Sequence, residues 1–109
     1  MKVVFIAGPY RDKPWRVQNN IHNARSMAET VWRFGGVALC PHMNSANFDG
    51  LVDDSQFLEG ALELLRRSDA VYCRDTQTTS SGTQAELAIA RELGMPILTC
   101  VDDVVEFLK

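Results

Sequence analysis

Val3-Val4-Phe5-Ile6-Ala7-Gly8-Pro9 decides the fold: a β-branched and aromatic run without polar alternation, stopped by Gly8-Pro9. Such a run is a strand buried on both faces, as in parallel sheets, and is read as the central strand. Downstream, Val17, Ile21, Ala24, Ala28 and Val31 recur every three or four residues until Gly35-Gly36, an amphipathic helix closed by a glycine cap. It supplies the crossover that a parallel strand requires. Val37-Ala38-Leu39-Cys40 reads as the second strand, closed by Pro41, and the stretch from His42 to Gly50 as a loop.

Leu58, Ala61, Leu62 and Leu65 mark a second helix running into Arg66-Arg67, cations suited to a helix C-terminus. Ala70-Val71-Tyr72-Cys73 follows as a third strand. After a polar run from Arg74 to Ser81, Leu87, Ala90 and Leu93 signal a third helix, stopped by Gly94 with Pro96 beyond. Pro96-Ile97-Leu98-Thr99-Cys100 is the fourth strand, and Asp102 or Asp103 caps a last helix through Val105 and Leu108. Alternating strands and helices with right-handed crossovers predict an α/β fold, a three-layer, doubly wound (flavodoxin- or Rossmann-like) parallel sheet in the order 2-1-3-4. Ligands of such folds gather beyond the carboxyl ends of the strands where the order reverses, so the loops after Ala7, Cys40 and Cys73 should converge.

The 109 residues, 46% apolar and 23% charged, are expected to form one domain, residues 1–109. A net charge of -3 with 11 scattered Lys and Arg argues against polymeric nucleic acid as a partner. Five apolar residues after Met1-Lys2 are far short of a signal-peptide core or a membrane span, and a cytoplasmic location is expected. Cys40, Cys73 and Cys100 are widely spaced within apolar runs and read as buried free thiols in a reducing compartment, with no zinc-type spacing. Trp15, Trp32 and Phe34, on or beside the first helix, read as core rather than as an interface.

Three loops offer chemistry. Gly8-Pro9-Tyr10-Arg11 combines close backbone approach with a hydroxyl and a guanidinium, fitting an anion or a sugar, or equally a tight turn with two exposed polar side chains. A lone Gly8 is not a dinucleotide fingerprint. Ser80, Ser81 and Gly82 lead into a helix N-terminus, whose free N–H groups and dipole favour a phosphate or carboxylate. Glu86 would stand in the first turn, kept ionised by the dipole and ready as nucleophile or base. Thr83 followed by Glu86 is equally a capping box, and the local pattern favours that cap. His42 faces the expected cleft, more as a hydrogen-bonding residue than as a metal ligand. Neither metal nor cofactor is expected.

Taken together, Ile6-Ala7-Gly8-Pro9-Tyr10-Arg11, Pro41-His42 with Asn44 and Phe48, Phe57-Leu58-Glu59-Gly60 running to Ser68-Asp69-Ala70-Val71, and Ser81-Gly82-Thr83 with Glu86 resemble the nucleoside 2-deoxyribosyltransferase superfamily almost end to end. They come closest to its small bacterial and phage branch, similar to the 2'-deoxynucleoside 5'-phosphate N-hydrolases. The resemblance implies that Glu86 is the nucleophile at the anomeric carbon, forming a covalent glycosyl ester by double displacement. It implies that the Tyr10 hydroxyl orients Glu86, and that Gly8, Arg11, His42, Asn44, Ser80, Ser81 and Gly82 bind substrate. Ser80 matches a serine of the nucleotide hydrolases where the nucleoside transferases carry aspartate, so a nucleoside 5'-monophosphate is favoured over a free nucleoside.

Asp69, at the opposite end of the sheet, matches as a structural residue. The departure is Ala61, where the family has an acidic residue that handles the leaving base; Glu59, Asp75 and His42 are the alternative proton sources. A nucleotide-binding module without catalysis and deoxyribosyl transfer between free nucleosides are the rival functions, and a homo-oligomer is implied by the resemblance.

Overall fold

The computed structural model describes residues 1–10 and 14–109, with only the backbone of residues 14 and 15; Arg11 and the Trp15 side chain lie outside the described residues. The elements run β1 (Val3–Ile6), α1 (Pro14–Arg33), β2 (Val37–Leu39), α2 (Pro41–Asn44), α3 (Asp54–Arg66), β3 (Ala70–Tyr72), α4 (Ser81–Glu92), β4 (Ile97–Leu98) and α5 (Val101–Leu108). All strand pairs are parallel and the order is β2-β1-β3-β4. This is the doubly wound α/β arrangement that the uninterrupted run at Val3–Ile6 predicts.

Strand side chains alternate between two cores. Val4, Ile6 and Tyr72 pack with Ala24, Met27 and Val31 of α1 and Val104 of α5 on one face. Phe5, Val71 and Cys73 pack with Leu65 of α3 and Leu87 and Ala90 of α4 on the other. Leu65 and Leu87 are fully buried, each contributing roughly 1.5–3 kcal/mol of apolar transfer. Gly35 adopts a left-handed φ of 92° after α1, and a Cβ on Gly36 would stand 2.9 Å from the Leu108 side chain. The glycine pair thus both ends the helix and lets α5 approach it closely.

The registers Val4↔Ala70 and Phe5↔Val71 put β1 and β3 side by side. At the amino end of this pair the Asp69 backbone N–H donates to Val3 O (2.8 Å), and Asp69 Oδ2 accepts from the Val3 N–H (2.7 Å). Its carboxylate is therefore structural, as its position implies.

Several local expectations are corrected. Cys40 does not end β2 but stands at the N-cap of α2, since Pro41 fits the first helical position; the expected loop after Pro41 begins with this helical turn. Strand β3 ends at Tyr72 and β4 holds only Ile97 and Leu98. Helix α5 starts at Val101, so neither Asp102 nor Asp103 is its N-cap. Cys40 and Cys73 are buried free thiols, but Cys100 is exposed, because its run leaves the sheet after Leu98. Leu93, at the C-cap of α4, is exposed, and so are Trp32 and Phe34, at 56% and 41%: α1 turns its last residues away from the face that holds Ala28 and Val31. None of the helices among the described residues is long and apolar enough to cross a membrane.

Candidate functional site

The loops after β1, β2 and β3 converge, as the switch in strand order requires. They enclose a cleft of about 810 Å³, bordered by Gly8, Pro9 and Tyr10 from the first loop, Pro41, His42 and Asp49 from the second, and 78–80 from the third. Leu58 and Ala61 of α3 form an apolar wall, while Ser81, Gly82, Thr83 and Glu86 of α4 complete the lining. This volume falls within the roughly 300–1,000 Å³ of small-molecule sites.

The α4 end of the cleft is built by a cap different from the expected one. Ser80 is the N-cap: its Oγ accepts from the Thr83 backbone N–H (3.3 Å) and from the Thr83 hydroxyl (3.0 Å). With both acceptor positions of the Ser80 oxygen occupied, its own O–H is left to donate. Ser81 and Gly82 are the first two helical residues, whose N–H groups have no partner within the helix. The corner therefore offers donors to an anion.

Thr83 is not a cap and Glu86 is not its capping-box partner. Because the helix begins at Ser81, Glu86 falls in the second turn rather than the first. It is 8% exposed, against the cleft, and no described side chain hydrogen-bonds its carboxyl. Burial pushes its pKa up to about 8, against the expectation that the helix dipole keeps it ionised. Desolvation outweighs the helix dipole, whose influence is concentrated in the first turn.

Tyr10 lines the cleft, but its hydroxyl donates to Asp49 Oδ1 (3.0 Å) and accepts from the Asn47 N–H (3.2 Å). The hydroxyl expected to orient Glu86 is thus bonded to the loop after α2. His42 is buried, its ring 5.4 Å from that of Tyr10, and its Nε2–H donates to Pro9 O (2.8 Å) while Nδ1 has no hydrogen-bond partner among the described residues. Burial lowers its pKa. A neutral imidazole whose N–H is already committed is a poor proton source.

The other proposed donors stand elsewhere. Glu59 is exposed and outside the lining, and exposed Asp75 accepts from the Gln77 N–H at 3.0 Å. Asn44 borders a shallower neighbouring groove rather than the main cleft. Ala61 presents its methyl group where the resemblance implies an acid. Conversely, Arg16, Asn20, Asp49 and Asp54 line the cleft without having been singled out from the sequence. For Asp54 a signal existed: Asp54, Leu58 and Ala61 follow the i, i+4, i+7 spacing of one helix face. Asp49 lay within a polar loop with no periodicity to place it. Among the described residues no group of His, Cys, Asp and Glu is arranged to hold a metal ion.

A buried carboxyl beside a donor-rich helix start at the strand switch is the geometry against which relatives can be compared. A family profile covers residues 2–100, almost the whole chain. The chain belongs to DUF7768, a domain of unknown function. Among the curated proteins none matches. Among solved structures, a 2-deoxyribosyltransferase from Bacillus psychrosaccharolyticus is similar with a TM-score of 0.67 at 15% identity, covering 87% of this chain and 69% of that one. A conserved protein from Enterococcus faecalis V583 gives a TM-score of 0.68 at 22% identity, covering 89% of this chain and 61% of that one. At these identities the likeness is one of fold. This DUF7768 chain spans about two thirds of the length of either neighbour.

Proposed function

We propose that this DUF7768 domain cleaves or transfers at the N-glycosidic bond of a (deoxy)nucleoside 5'-monophosphate, with Glu86 as nucleophile. The observation that carries the proposal is the Glu86 carboxyl, 8% exposed and without a described hydrogen-bond partner, in the same cleft as the open N–H groups of α4. Ser80, Ser81 and Gly82, with Arg11 from the first loop, receive the phosphate. The apolar wall of Leu58 and Ala61 takes the base.

In the first step a Glu86 oxygen bonds to the anomeric carbon, and the electron pair of the N-glycosidic bond leaves with the base, which takes a proton from water. In the second, water or an acceptor base attacks that carbon, loses a proton, and releases the Glu86 carboxylate. Glu86 must ionise first, and the developing positive charge of an oxocarbenium-like transition state favours the charged form. Incubation with a panel of nucleotides, with chromatographic detection of free base, tests the reading; full base release by Glu86→Ala would remove it.

A second reading, a nucleotide-binding module without turnover, is favoured by two observations: the methyl of Ala61 in place of an acid, and the engagement of the Tyr10 hydroxyl by Asp49. Nucleotide binding without base release, in wild type and Ala61→Asp alike, selects it.

A further inference from the structure

The loop between β3 and α4 is held partly by its own turns. Asp75 Oδ1 accepts from the Gln77 N–H (3.0 Å) and Thr78 Oγ1 from the Ser80 N–H (3.3 Å). Its tie to the body of α4 is of a different kind. Gln84, one turn into the helix, directs its side-chain amide back along the loop, where Nε2 donates to Thr78 O (2.8 Å) and Thr76 O (3.1 Å). Both N–H groups of that amide are thereby used.

We infer that Gln84 is the positioning residue that holds this loop against α4 and so gives the cleft its preference for a phosphorylated over an unphosphorylated nucleoside. The inference rests on the reading that the α4 end of the cleft receives the phosphate. In a trans peptide the C=O and N–H point in opposite directions, so fixing the Thr78 carbonyl toward Gln84 also fixes the Thr79 N–H away from it. Thr78, Thr79 and Ser80 all line the cleft. The Ser80 N–H and Thr78 N–H are already used within the loop, so it is the Thr79 N–H and the Ser80 hydroxyl that can converge on one anion, and only while the loop stays in this shape.

One buried group points to a ligand here, beside a Ser80 hydroxyl that its bonds from Thr83 leave to donate. Glu86, more than nine-tenths buried and without a described hydrogen-bond partner, faces the same space. Gln84 itself is absent from the cleft lining and acts through the loop.

The test is calorimetric binding of the common ribo- and deoxyribonucleosides, and of their 5'-monophosphates, to the full chain. Gln84→Met keeps the length of the side chain and removes both donors. It is expected to weaken monophosphate affinity about tenfold or more, the loss of two hydrogen bonds with their positioning, and to leave the matched nucleoside within about twofold. Gln84→Asn, whose amide is one methylene too short, should show the same selective loss and serves if Gln84→Met does not fold. Equal weakening of nucleoside and monophosphate overturns the inference in favour of a general structural role. A wild type that prefers the monophosphate, with variants that keep the preference, overturns the role of Gln84 alone. A wild type without the preference overturns this inference and the phosphate reading together.

Discussion

Helices α4 and α5 both carry an acidic residue a few positions after their start, and the two carboxyls have opposite fates. At α5 the N-cap Cys100 makes no side-chain cap bond, and Asp103 reaches back instead: its Oδ2 accepts from the Thr99 N–H (2.9 Å) and hydroxyl (3.1 Å). These bonds from Thr99 hold Asp103 below the usual carboxylate range. At α4 the Ser80 hydroxyl caps the helix, so Glu86 has no capping duty. It is buried in the second turn with a pKa of about 8. At α4 a hydroxyl supplies the cap and the carboxyl downstream holds no part of the chain; at α5, where the N-cap side chain makes no cap bond, the carboxyl does.

The contrast is broken most directly at Glu86. If it is the nucleophile, Glu86→Gln lowers base release from nucleotides by on the order of a thousandfold or more, while the wild-type kcat/KM rises with pH through about 8 as the carboxyl ionises. A flat pH profile, or an active Glu86→Gln, would leave Glu86 with no more chemical role than Asp103.

A second effect concerns stability, with a determined sign. A folded-state pKa of about 8 against the ordinary glutamate value of 4.5 means that the native state binds the Glu86 proton more tightly than the unfolded chain. Stability therefore falls as pH rises across that window, by on the order of a few kcal/mol in all, and is flat on either side as far as this group is concerned. Glu86→Gln should flatten the fall and exceed wild type in urea midpoint at pH 8–9; equal midpoints there would show that the carboxyl is not buried in solution.

Ser80→Ala should cost about 1 kcal/mol of stability by loss of the cap, together with affinity for nucleoside monophosphates. Thermal melts and calorimetry on the same variant separate the two. The smallest effect belongs to Asp103→Asn, which removes a contribution present at neutral pH and lost on acidification below the usual Asp range. A slightly lower melting temperature with unaltered nucleotide binding is expected, and a change in binding would erase the distinction between the two helix starts.

Much of the fold was legible along the chain because its signals are local. The apolar run Val3–Ile6, the three-to-four spacing from Val17 to Val31, and the glycines at 35 and 94 each declare an element within a few residues. Parallel strands with right-handed crossovers then leave few arrangements, and 2-1-3-4 is the one observed. The convergence of the loops after Ala7, Cys40 and Cys73 follows from that order. Short signals misled where two local rules competed: Pro41 both stops a strand and starts a helix, and Thr83–Glu86 has the spacing of a capping box although the helix starts too early for it. Trp32 and Phe34 carry no local mark distinguishing core from surface.

The sequence by itself determined the order of elements, the central strand and the end of the sheet at which a site would form, because backbone preference and hydrophobic period act over neighbouring residues. Only the tertiary structure decided that Ser80 rather than Thr83 is the cap, that Tyr10 meets Asp49 across 39 positions of chain, that Ala61 faces the cleft, and that Glu86 is buried deeply enough to hold its proton to about pH 8. Desolvation and hydrogen bonding depend on which groups meet through space, and spacing along the chain does not encode that.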